Sequence, residues 1–177
     1  MNSIGKHYLE TVIQNFEGLK SLGERAIIQV DESHINFSEN ENSNSVSIIV
    51  KHLHGNMKSR WEHFLEVDGE SSGRNRDSEF EGSIHTKEEL FSIWNEGWDF
   101  VFNAIHNLEE NDLNKIITIR SQPLTVIQAI QRQVSHYSYH VGQIVYLSKL
   151  LSSSWDSLSI PKGKSKEFNK RMMNKNT

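Results

Sequence analysis

The stretch His136-Tyr137-Ser138-Tyr139-His140-Val141-Gly142-Gln143 lies in the middle of a helical pattern that begins at Thr125 and reaches about Ser152. Residues four apart on a helix project from the same face, with Cβ atoms roughly 6 Å apart. His136 and His140 can therefore bind one metal ion together, and one further ligand from another helix would complete a three-nitrogen site. Around the pair, Gln133, His136, His140, Gln143, Leu147 and Leu150 recur at +3 and +4 and share a stripe. The neighbouring stripe, Ile130, Val134, Tyr137, Val141 and Ile144, is apolar and predicts a buried face. Two histidines and two glutamines in a half-buried row need partners. A metal ion supplies them, and the glutamines can orient ligands. The bland alternative is a pair of partly exposed imidazoles hydrogen-bonded to neighbours. The pair is not a zincin motif, because Tyr137 stands where that motif has Glu.

Working outward, three more segments carry helical periodicity. Residues 3 to 30 place Ile4, Tyr8, Val12, Ile13, Phe16, Leu19 and Leu22 at helical spacing. A second helix runs from about Val46 to Val67. A third opens at Thr86-Lys87-Glu88-Glu89, a capping-box form, and ends near Leu108. Thr125-Val126-Ile127-Gln128 is a second capping-box form and opens the fourth helix. Residues 38 to 45 and the charged run Asp68 to Asp77 read as loops, and Leu113 to Arg120 as a short connector that could be extended. The pattern predicts an all-α chain, an antiparallel four-helix bundle with long connecting loops. Residues 1–160 form the single domain. Residues 161–177 form a basic, solvated tail in which Lys162, Lys164, Lys166, Lys170, Arg171 and Lys175 face Glu167.

Composition narrows the class. The chain has 177 residues, 36% apolar and 24% charged, as expected of a soluble globular domain. No run of about 20 apolar residues occurs and no signal-peptide core opens the chain, so a cytoplasmic protein without a membrane partner is expected. A net charge of −4 argues against nucleic acid as the main partner. Cysteine is absent, which excludes thiolate ligands and a cysteine nucleophile; any thiol chemistry needs a thiol from outside.

The second helix offers His52, His54 and His63 as third ligand. Positions two apart on a helix diverge by about 200°, so His52 and His54 cannot both face inward. Periodicity does not choose between them. His7, His34, His85 and His106 have no ligand-like company.

Several separated segments resemble the DinB/YfiT-like metalloenzyme superfamily, in particular a branch of unknown function. They are Val50-Lys51-His52-Leu53-His54-Gly55-Asn56-Met57-Lys58-Ser59-Arg60-Trp61, Asp68-Gly69-Glu70 with Arg74 to Phe80, His136 to Ile144, and Ser159-Ile160-Pro161-Lys162-Gly163-Lys164-Ser165. The resemblance implies a four-helix bundle, often a homodimer, with a three-histidine site. One ligand comes from the second helix and two from the fourth, which by motif are His52, His136 and His140. His54 stands where the branch typically has a small residue and is not expected to bind metal. Asn56, Arg60, Tyr137 and Gln143 are expected beside the ligands or the substrate, and no catalytic residue is assigned. The dense charges Arg60, Asp68, Glu70, Arg74, Arg76 and Asp77 read as an ion-pair network fixing the long loop, ahead of recognition of a charged substrate.

Three neutral imidazoles leave a divalent ion its full charge and an open position. Zinc, nickel and iron(II) suit such ligands comparably. The ion can activate water or hold a thiol as thiolate. Members of the superfamily include transferases that use low-molecular-weight thiols, so the resemblance implies a metal-dependent enzyme passing such a thiol to an electrophilic small-molecule substrate. The alternatives are a metal-dependent hydrolase and a non-catalytic metal-binding or stress protein.

Overall fold

The computed structural model describes residues 3–70 and 73–174. Met1, Asn2, the loop residues Ser71 and Ser72, and Lys175 of the basic tail lie outside the described residues. Four long helices dominate: α1 (Ile4–Gln29), α2 (Val46–Trp61), α3 (Lys87–His106) and α4 (Val126–Leu151). α1 packs along α4 and α2 along α3, with further contacts between α2 and α4 and between α1 and α3. Each helix contributes one ring to a shared aromatic centre: Phe16, Trp61, Trp98 and Tyr137, all at most 2% exposed. The Phe16 ring lies 5.8–6.0 Å from the other three. Rings at these separations add edge-to-face attraction to the large area they bury.

Local chemistry starts each helix. Ser3, Ser45, Thr86 and Thr125 are the N-caps, each accepting a hydrogen bond from the amide three residues on. Such a cap is worth about 1 kcal/mol. The Thr125 box is complete, because Gln128 Oε1 also accepts from Thr125 N at 2.8 Å. The Thr86 box is only half made. Glu89 Oε2 turns to the amide of His85 instead, at 2.9 Å.

Two expectations are corrected. The second helix ends at Trp61 rather than near Val67. His63 adopts φ 57°, the left-handed region, and the chain doubles back so that Phe64 packs on Trp61 at 4.7 Å. Ser59 Oγ and Arg60 Nη1 both donate to the carbonyl of Gly69, which holds the returning strand against the helix end. The chain is also not purely helical. The connector pairs as an antiparallel hairpin, β1 (Ile116–Ile119) with β2 (Gln122–Thr125), in register Ile116↔Thr125. Arg120 and Ser121 form its two-residue turn at φ 54° and 59°, the left-handed pair that tight hairpins need. Neither is a favoured turn residue. Asp68 compensates: its carboxylate accepts the amides of Arg120 at 2.9 Å and Ser121 at 2.6 Å. The basic tail is not all irregular either, since Ser165–Met173 forms a fifth helix, α5, with no buried residue.

Candidate metal centre

His52 leaves α2 toward α4, where His136 and His140 occupy successive turns of one face. One ring nitrogen from each lies within 4.8 Å of the others. His52 Nε2 and His136 Nε2 are 3.4 Å apart. Two nitrogens on a tetrahedral ion at 2.0–2.1 Å would be separated by about 3.3–3.4 Å. The spacing suits a shared ion as well as it suits an imidazole–imidazole hydrogen bond.

The neighbours decide which nitrogens are free. His52 Nδ1 lies 2.9 Å from Glu79 Oε2, so it carries the proton, donates it to the carboxylate, and leaves the Nε2 lone pair facing the cluster. His140 Nδ1 is fixed the same way, donating to Gln143 Oε1 at 2.8 Å. His136 Nδ1 is buried with no hydrogen-bond partner. Burial, with the charges of His140 and His52 nearby, lowers the pKa of His136 to about 3. Burial and His52 lower that of His140 to about 4. Both rings are therefore neutral near pH 7, the form a metal needs.

Behind His52 stands a charged relay. Glu79, 7% exposed, lies in the short helical turn Asp77–Phe80. It accepts from Arg74 Nε at 2.6 Å and Nη2 at 2.8 Å in the two-pronged geometry that fits guanidinium to carboxylate. Burial works against its charge, yet Arg74 and His52 hold its carboxyl below the usual carboxylate range. Gly55 makes this possible: a Cβ there would run into the Glu79 carboxylate. Next to it, Arg60 Nη1 pairs with Glu70 Oε2 at 2.6 Å, and Arg120 Nη2 shares Glu70 at 3.1 Å. Of the charges expected to pair, Arg60, Glu70 and Arg74 do so, joined by Glu79 and Arg120. Asp68 binds backbone amides instead, and Arg76 and Asp77 form no ion pair among the described residues.

The triad opens into a cleft of about 500 Å³. Asn56 and Arg60 line it. Tyr137 and Gln143 do not. Tyr137 is wholly buried beneath the triad, accepting from Trp61 Nε1 at 2.8 Å and donating to Asn56 Oδ1 at 3.2 Å. Burial pushes its phenol above the usual value. Gln143 meets His140 Nδ1 instead. His54 points away and meets Glu96 of α3 at 3.1 Å, while His63 is exposed beside Glu66. Sequence reasoning gave no role to Glu79, Phe80, Arg120 or Arg132. Arg132 had a signal, being one turn before His136. Glu79 and Phe80 lie in a segment that carries the resemblance, but nothing in it ties Glu79 to the ring it holds, 27 residues away.

The family model described as a protein of unknown function (DUF1572) matches residues 3–164. Among solved structures, a DinB-like protein from Bacillus subtilis, YjoA, is similar at 15% identity, with a TM-score of 0.59 over 83% of this chain and 96% of that one. The DinB-like resemblance is therefore borne out at the level of fold. No curated protein matches the chain. The chain belongs to the DUF1572 family.

Proposed function

We propose that this member of the DUF1572 family is a metal-dependent enzyme in which His52, His136 and His140 hold one divalent ion, zinc, nickel or iron(II), at the floor of the cleft. The observation that carries this reading is the convergence of three imidazole nitrogens within 4.8 Å, two of them oriented by acceptors on the far side of the ring. Ligand histidines characteristically donate their second N–H to such partners. An ion held by three neutral ligands supplies Lewis-acid activation of a water or a thiol. The chain's own residues do the rest. Glu79 and Gln143 fix the tautomers of His52 and His140, Tyr137 fixes Asn56, and the cleft admits a small-molecule substrate.

The leading reaction is transfer of a low-molecular-weight thiol to an electrophile, supported by the DinB-like fold and by the lack of any cysteine in the chain. Hydrolysis is the second reading; Gln133 Oε1, buried at the cleft without a partner, favours it as an acceptor for a water's hydrogen. A metal that merely ties helices together fits less well, because the triad faces an open cleft and no fourth protein ligand joins the cluster among the described residues.

The same reading takes residues 1–160 as one antiparallel four-helix bundle with a basic tail at 161–177, supported by a family match that ends at 164. It takes the protein as a cytoplasmic homodimer. Tyr139, Tyr146 and Leu150, more than half exposed and in step on α4, support the dimer. No described helix is long and apolar enough to cross a membrane.

Purified protein should carry about one divalent ion per chain, and His140→Ala should lose it. The metal-loaded protein, incubated with a panel of low-molecular-weight thiols and a chlorinated or epoxide electrophile, should form conjugate above the metal-free rate. Ester or amide cleavage without conjugate would move hydrolysis to the front. Neither activity, with only a lower melting temperature on metal removal, would leave a structural metal.

A further inference from the structure

The cleft has an unusual wall. Arg60, Arg74, Arg76, Arg120 and Arg132 all line it, and no acidic residue does among the described residues. The chain as a whole is negative, so this is a local reversal of sign. Glu70 and Glu79, set behind the wall, pair with Arg60, Arg74 and Arg120, so two carboxylates offset two of these three charges. Arg76 and Arg132 are exposed and have no ion pair among the described residues. They flank the triad from different elements. Arg132 stands on α4 one turn before His136. Arg76 lies over the Phe80 ring at 5.1 Å, and that ring packs on His52 at 5.3 Å. In the same cleft, Gln133 is 3% exposed and keeps Oε1 unpartnered.

Clustered guanidinium groups repel one another, and low-dielectric walls focus their field on a ligand. Guanidinium recognises carboxylate and phosphate through paired N–H donors. A volume of about 500 Å³ lies within the usual range for small-molecule sites. We propose that the substrate is a small-molecule anion whose carboxylate or phosphate oxygens are held by Arg76 and Arg132. Gln133 Oε1 accepts an N–H or O–H of the same molecule. The anchored anion leaves the rest of the molecule over the triad; this last step rests on the reading of the triad as a metal centre.

The test is calorimetric titration of the purified full-length protein with succinate, inorganic phosphate and the neutral succinamide, with metal content measured on the same samples. Succinate or phosphate should bind at least ten-fold tighter than succinamide. Binding should weaken as salt rises from 50 to 200 mM, through screening. The double variant Arg76→Gln/Arg132→Gln should lose at least ten-fold in anion affinity with metal content and melting temperature unchanged. An anion held by the metal alone would not respond to these substitutions. Tighter succinate than phosphate identifies a carboxylate substrate, and the reverse a phosphate ester. Equal binding of succinate and succinamide, or an unchanged double variant, overturns the proposal. Anion selectivity in protein that holds no metal would sink the metal reading while leaving the anion site standing.

Discussion

Two sets of arginines in one cleft use the same residue type for opposite ends. Arg60 and Arg74 have side chains only 4% and 5% exposed, and each meets a carboxylate at 2.6 Å. Arg76 and Arg132 are exposed and unpaired among the described residues. A buried guanidinium without a partner would be costly, so the first pair is tied to the loop and, through Glu79, to His52. An exposed guanidinium stays hydrated and costs little to hold in readiness. The buried pair therefore builds the site, and the exposed pair is free to meet what enters it. Burial separates the two roles where residue identity cannot.

The contrast can be broken most forcefully at Glu79. Glu79→Ala leaves the buried Arg74 with only the Glu70 carboxylate, at 3.7 Å, and frees the far side of His52. Stability should fall by about 3–5 kcal/mol in urea unfolding. Zinc affinity should fall roughly 10–100-fold, as when the hydrogen-bond partner of a ligand is lost. An unchanged midpoint would contradict the assignment of the paired arginines. Gly55→Ala probes the same contact from beneath. In an open helix this change adds about 1 kcal/mol of stability. Here the new Cβ meets the Glu79 carboxylate, so the sign should reverse and zinc affinity should drop about ten-fold. A stabilised variant with full affinity would show that the carboxylate has room to move.

Asp68→Asn should have a smaller effect, confined in pH. The amides of Ser121, Glu70 and Arg120 hold the Asp68 carboxyl at about 2, below its ordinary value of 3.8. A lowered acid stabilises the fold above about pH 4 and loses that contribution as pH falls toward 2. The variant should match the acid-weakened wild type near pH 2 and fall behind it above pH 4, as read by melting temperature across that range. The smallest effect belongs to the unpaired arginines. Arg132→Gln alone should change stability by no more than about 0.5 kcal/mol. A large loss there would mean that Arg132 builds the site after all.

Much of this arrangement was legible in the chain. The starts of the third and fourth helices were marked by the capping-box forms at Thr86 and Thr125, whose side chains bond amides three residues away. The pair His136 and His140 was legible because helical spacing fixes which residues share a face. His52 was not separable from His54 by periodicity; the family resemblance chose it, and the fold sends His54 to Glu96 instead. The hairpin stayed hidden because Arg120 and Ser121 are not usual left-handed residues, and their support comes from Asp68, 52 residues earlier. Glu79 stayed hidden for a similar reason. Its place depends on a loop folding over Gly55, and no local pattern encodes that. Interactions within one or two helical turns could be read, while partners brought together by loops could not.

X-ray absorption spectroscopy on zinc-reconstituted protein tests the central claim most directly. The account predicts one zinc per chain with three imidazole nitrogens at about 2.0–2.1 Å and a fourth, oxygen ligand from solvent. Protein that takes up no zinc, or zinc with fewer than three imidazoles around it, would contradict it.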